Sequence, residues 1–126
     1  LFLFTDAMIK DKPIKVFNKG DMVRDFTFID DIIEGTIAAI DRNFQYEIFN
    51  LGNNRCENVL DMVAIIEESL GKKAIINYKD MQPGDVEKTF ADIEYSKEKL
   101  NYSPRIKINE GIPKFIDWYK SYILSG

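Results

Sequence analysis

Residues 22–31 read Met22-Val23-Arg24-Asp25-Phe26-Thr27-Phe28-Ile29-Asp30-Asp31, and they carry the chain from an extended segment into a helix. Phe26-Thr27-Phe28 reads as a short strand. Asp30 or Asp31 is placed to cap the helix that follows, in which Ile29, Ile32, Ile33, Ile37 and Ile40 fall on one face. An extended-to-helical switch in so short a stretch points to a mixed α/β class, and the flanks repeat it.

Upstream, Leu1, Phe4 and Met8 share a helical face, and Asp11-Lys12-Pro13 breaks that helix. Ile14-Lys15-Val16-Phe17 reads as a strand closed by a turn at Asn18-Lys19-Gly20. Downstream, Tyr46 to Leu51 predicts a strand ending in Gly52-Asn53-Asn54. Asn58 is a good N-cap for a helix carrying Val59, Met62, Val63, Ile66 and Leu70, with Gly71 placed to end it. Ala74 to Tyr78 predicts another strand, then a loop over Met81-Gln82-Pro83-Gly84-Asp85-Val86 and a short strand near Thr89-Phe90-Ala91. Ser96 to Leu100 predicts a short helix. The last helix runs to about Ile123, striped by Ile108, Ile112, Phe115, Ile116, Tyr119 and Ile123, with Pro113 near its start. No linker or repeat divides residues 1–126, so they read as one small α/β domain. The chain opens Leu1-Phe2-Leu3-Phe4 inside a helix and without Met, which reads as a fragment of something longer.

Composition removes several function classes. Seventeen Lys and Arg against 21 Asp and Glu give a net charge of −4, without the basic field that non-specific nucleic-acid binding uses. No apolar run approaches the ~20 residues of a membrane span. Neither nucleic acid nor membrane is therefore an expected partner. With no His there is no imidazole metal ligand and no Ser-His or Cys-His pair. One cysteine, Cys56, excludes an intrachain disulfide and suits a cytoplasmic location. Cys56 lies beside Arg55 in a Gly/Asn-rich turn, as a reactive thiol or, more plainly, an incidental one. Neither G-x-G-x-x-G nor G-x-x-x-x-G-K-[ST] occurs, and no metal-ligand spacing is present.

Four features carry candidate chemistry. Arg24 stands at the start of an aromatic strand, where a guanidinium can grip a phosphate bidentately. The plain alternative is an ion pair with Asp21 or Asp25. Pro83 and Gly84 fix a turn that presents the Gln82 amide and the Asp85 carboxylate. A carboxylate accepting two hydroxyl hydrogen bonds suits a cis-diol such as ribose, and the alternative is a simple turn. The Phe17 ring can stack on a base while free backbone groups of its strand meet the base edge, or it can be core. Asp30 and Asp31 suggest acid/base work, but a helix N-terminus wants negative charge, and capping is preferred.

Taken in order, Arg24-Asp25-Phe26-Thr27-Phe28-Ile29-Asp30-Asp31, Asn50-Leu51-Gly52-Asn53, Met81-Gln82-Pro83-Gly84-Asp85-Val86 with Ala91-Asp92, Glu110-Gly111-Ile112 and Phe115-Ile116-Asp117-Trp118-Tyr119 resemble one family. They look like the C-terminal lobe of NAD-dependent nucleotide-sugar epimerases, which are extended short-chain dehydrogenase/reductase proteins. The branch most resembled is UDP-glucuronate 4-epimerase. The resemblance implies a small mixed α/β substrate-binding lobe over residues 1–126, without its N-terminal Rossmann domain. NAD and the catalytic Tyr and Lys would belong to that domain. No NAD, no metal and no catalytic residue is then expected on this segment, which by itself would be inactive.

Carried over by motif, Arg24 would contact the diphosphate of a UDP-sugar and Asp85 the ribose hydroxyls. Gln82 stands where related UDP-galactose epimerases place an Arg near the phosphates. Phe17 would lie against the uracil, with backbone at Lys15 and Phe17 pairing with its edge. Ile106-Lys107 replaces a Thr-Pro common in relatives, and Pro113 is unexpected in its helix. Alternatives are the same lobe of a UDP- or dTDP-sugar dehydratase or decarboxylase, or a non-enzymatic module binding a nucleotide or partner protein. A homodimer is expected through an exposed domain-junction face, for which Leu1, Phe2, Leu3 and Phe4 are the candidates.

Overall fold

Two short two-stranded sheets, rather than one continuous sheet, hold the extended segments in the computed structural model, which describes residues 1–123. Strand β1 (Ile14–Phe17) pairs in parallel with β4 (Ile76–Lys79), Ile14 opposite Ile76 and Phe17 opposite Lys79. Strand β2 (Val23–Asp25) pairs antiparallel with β3 (Cys56–Asn58). A parallel pair needs a long crossover. Here the chain between β1 and β4 carries α2 (Ile29–Arg42) and α3 (Val59–Leu70). Helices α1 (Phe2–Ile9), α4 (Glu94–Leu100) and α5 (Ile108–Tyr122) complete the α/β fold.

The main core lies where α1, β1, α3 and α5 meet, around Met8, Val16, Met62, Ile66, Ile112 and Ile116. The stripes read from α3 and α5 supply it, although Ile123 is 40% exposed. A second cluster of Ile93, Leu100 and Tyr102 packs under α2 against Ala38, Ala39 and Leu51. Local rules hold at the ends of α3. Asn58 Oδ1 accepts the Leu60 N–H at 2.7 Å, and Gly71 closes the helix at φ 65°. Pro113 falls beyond the first turn of α5 and removes one helical donor, yet the helix continues. Lys107 starts that helix without a side-chain cap.

Several expectations need correction. The second ladder falls on residues 23–25, not 26–28, because the Phe26 carbonyl is taken by Asn53 Nδ2 at 3.0 Å. Cys56 lies in β3, not in a turn. Tyr46 to Leu51 joins no ladder among the described residues, and the Asn50 carbonyl accepts the Ser96 hydroxyl instead. Strand β4 starts at Ile76, since the Ala74 N–H goes to Glu67 Oε1. Near residue 89 only a bridge between Val23 and Lys88 forms. Helix α4 starts at Glu94, whose N–H is taken by Asp92 Oδ1.

Helix α2 departs most. Phe28 is its N-cap, and neither Asp30 nor Asp31 caps it. Asp31 turns inward, fully buried, and accepts the N–H groups of Arg105 at 3.1 Å and Ile106 at 3.0 Å. Gly35, Ala38 and Ala39 follow it inward, so Ile29, Ile33, Ile37 and Ile40 are left 48–69% exposed.

Candidate functional site

β1 has one paired edge and one open edge. The Ile14 N–H donates to the Ile75 carbonyl at 2.9 Å, so Ile14 and Val16 face β4. Alternation along a strand then turns the N–H and C=O groups of Lys15 and Phe17 to the open side. Beside them lies a cavity of about 200 Å³ lined by Lys15, Phe17, Arg24 and Asp85, with Phe26 and Met62 among its apolar walls.

Arg24 is held across this cavity by three acceptors. Its Nη1 donates to the carbonyls of Val23 at 3.0 Å and Glu87 at 3.1 Å, and its Nη2 donates to Asp85 Oδ1 at 3.0 Å. The ion pair therefore goes to Asp85, not to Asp21 or Asp25. Asp85 ends the turn that Pro83 and Gly84 predict. The Asp85 N–H donates to the Gln82 carbonyl at 3.1 Å, and Gly84 takes φ 83°, a type II requirement that glycine meets without strain. Asp85 Oδ1 also accepts the Val86 N–H at 2.9 Å, while Oδ2 has no hydrogen-bond partner among the described residues. Gln82 is exposed and does not line the cavity. Four of the five sequence-predicted residues thus converge, and Gln82 stays apart.

Asp25 and Asp31 escaped the sequence reading as structural hubs. Each accepts backbone N–H groups from distant segments, and no local spacing announces that. Tyr102 donates to the Gly52 carbonyl at 2.9 Å from a buried position, and burial first, then the Asp31 and Asp25 carboxylates, push its pKa up to about 12. A Tyr followed four residues later by Lys occurs at Tyr95 and Lys99 on α4. It is not built for phenolate chemistry. Glu47 raises the Tyr95 pKa, its ring stacks on Phe49, and Lys99 pairs with Glu98. Cys56 is half-buried, its Sγ 3.7 Å from the Thr89 carbonyl. Among the described residues no cluster of His, Cys, Asp or Glu could hold a metal ion, and no helix is long and apolar enough to cross a membrane.

The family model described as GDP-mannose 4,6 dehydratase matches residues 4–115. The chain belongs to this family. Within it, the chain is 42% identical to an uncharacterized protein of Methanocaldococcus jannaschii, over 94% of this chain and 36% of that protein. It is 40% identical to the UDP-glucuronate 4-epimerase of Thermodesulfobacterium geofontis, over 98% of this chain and 38% of that enzyme. Among solved structures, the UDP-glucuronic acid 4-epimerase of Bacillus cereus, in complex with UDP-glucuronic acid and NAD, superposes with a TM-score of 0.83 at 34% identity. That match covers 94% of this chain and 38% of the epimerase. The resemblance read from the motifs and the small mixed α/β fold are both found. The chain spans well under half the length of these relatives. Residues 1–126 contain no G-x-G-x-x-G loop.

Proposed function

We propose that this chain binds the uridine diphosphate part of a nucleotide sugar, as the substrate-side lobe of an NAD-dependent 4-epimerase of the UDP-glucuronate type. The observation that carries the reading is the pairing of Arg24 with Asp85 beside the open edge of β1. A guanidinium has five N–H donors. Three hydrogen bonds occupy both Nη1 hydrogens and one on Nη2, leaving Nε and the second Nη2 hydrogen for phosphate oxygens. Asp85 Oδ2 is open to a ribose hydroxyl, and Lys15 and Phe17 offer backbone donors and acceptors to the edge of a uracil lying on the Phe17 ring. The similarity to UDP-glucuronate 4-epimerases supports the choice of sugar nucleotide. The dehydratase description of the family model keeps a nucleotide-sugar dehydratase as the second reading.

In this proposal NAD and the reacting side chains belong to the remainder of a longer protein, and the lobe contributes binding and orientation. Ile33, Ile37 and Ile40, exposed along α2, join the exposed Leu1, Phe2 and Leu3 as the surface that packs on that remainder, or on a second copy when it is missing, whereas Phe4 packs against the main core. The test is a UDP titration of the 126-residue chain by calorimetry or amide NMR shifts, alongside Arg24→Ala and Asp85→Ala. Saturable binding weakened at least about tenfold in both variants, but still measurable, is the expected result. A folded wild-type chain that binds no UDP would remove the pocket from the proposal.

A further inference from the structure

We infer that Asp25 is a positioning residue, which holds the loop bearing Asp85 in register with Arg24. Its structural part rests on geometry alone, and its consequence for binding rests on the nucleotide reading above. Asp25 ends β2, and strand alternation puts its side chain on the face opposite to that of Arg24. Its Oδ1 accepts the Asn53 N–H at 2.9 Å, and its Oδ2 accepts those of Asn54 at 3.0 Å and Ala91 at 3.1 Å. Its own N–H donates to Thr89 Oγ1 at 3.2 Å. One carboxylate therefore pins two separate segments to β2, and the second is the exit of the loop that carries Asp85.

The neighbours of Asp25 fasten the same loop. Val23 donates its N–H to the Glu87 carbonyl at 2.8 Å and accepts the Thr89 N–H at 3.1 Å. Arg24 reaches the Glu87 carbonyl and the Asp85 carboxylate. Val23, Arg24 and Asp25 thus act as a clamp on residues 85–91. Gly52 removes the remaining slack, because a Cβ there would lie 2.3 Å from Ala91 Cβ. Only a carboxylate serves at position 25. An Asn offers one acceptor oxygen to three N–H groups, and its own NH₂ would face at least one of them.

The test compares the 126-residue chain with its Asp25→Asn variant by amide hydrogen exchange and by UDP titration. The amides of Val23, Thr89 and Ala91 are expected to exchange at least tenfold faster, with those of Ile66 and Ile116 in the main core unchanged. UDP affinity should fall about fivefold or more, and less than twofold when Asp85→Ala is already present. Unchanged exchange over residues 85–91, an equal rise throughout the core, or additive affinity losses would overturn the inference. Should the wild-type chain bind no UDP, the exchange pattern still decides the clamp, and the nucleotide reading falls alone. If Asp25→Asn does not fold, Thr89→Val removes one tie and leaves the carboxylate; it should speed the same amides about threefold, and no change would overturn the clamp.

Discussion

Arg24 and Asp85 lie 61 residues apart in the chain and meet at 3.0 Å, the guanidinium also holding two carbonyls of the same neighbourhood. An ammonium cannot reproduce that planar fork. Arg24→Lys should therefore weaken UDP binding about tenfold, in line with the ~1.5–3 kcal/mol typical of a hydrogen bond to a charged group. Because both side chains are partly exposed, chain stability should change by less than about 1 kcal/mol. Calorimetric titration and urea unfolding of one preparation separate the two effects.

Asp31 sits at the opposite extreme of exposure. Its carboxylate serves the Arg105 and Ile106 N–H groups from a fully buried position. Asp31→Ala strands both donors and should cost about 3 kcal/mol in urea unfolding. Asp30→Ala, at an exposed first-turn position, should cost under about 1 kcal/mol.

Gly52→Ala places a methyl group 2.3 Å from Ala91 Cβ and 3.2 Å from Asp25 Oδ2. Backbone must move to admit it. A loss of about 1–3 kcal/mol is expected by thermal or urea melts, as for other overpacked sites.

Tyr102 and Asp6 each make a pH-dependent contribution to stability. The Tyr102 phenol, pushed up to about 12 by burial, binds its proton in the folded chain after the unfolded chain has lost it near 10. Its stabilising contribution is complete below pH 10 and declines as pH rises towards 12. Tyr102→Phe should flatten that limb in melts between pH 9 and 12. At the acid end Lys10 first, then the Tyr119 hydroxyl, lower the Asp6 pKa. That contribution is present above the unfolded carboxylate value and is lost as pH falls through the folded one. Asp6→Asn should shrink the acid limb below about pH 4.

The apolar face of α2 predicts self-association of the chain. Ile33 and Ile37 are about half exposed on adjacent turns. Ile33→Lys with Ile37→Glu should shift the elution of concentrated samples towards monomer in size-exclusion chromatography. A wild-type chain that stays monomeric at high concentration would contradict it.

What the sequence made legible was whatever a few neighbouring residues decide. The Asn58 cap, the Gly71 stop and the Pro83-Gly84 turn obey local geometry, and each forms as read. Asp31 satisfied the same local rule as a cap, but its partners lie 74 and 75 residues away and outcompete it. The Ile periodicity of α2 marked a face without saying which side would be covered, and the small residues took the inside. Tyr46 to Leu51 has a strand's pattern, but pattern does not supply a partner edge. At the site, Arg24, Phe17 and Asp85 could be named from chemistry. Their meeting in one cavity depends on a fold that no short window contains.

That remoteness bears on how the lobe comes into being. The ties between β2 and the Asp85 loop span 61 to 66 residues, the Asp31 bonds 74 and 75, and the Tyr119 to Asp6 bond 113. Chain entropy must be surrendered before such contacts return anything, so topologies of this kind fold slowly. During synthesis, a chain released only as far as residue 80 can form helices but neither the Arg24 pair nor the Asp31 bonds. The cavity wall that joins Arg24 to Asp85 is thus completed before α4 and α5 are made, yet until Asp85 leaves the ribosome Arg24 waits without its partner.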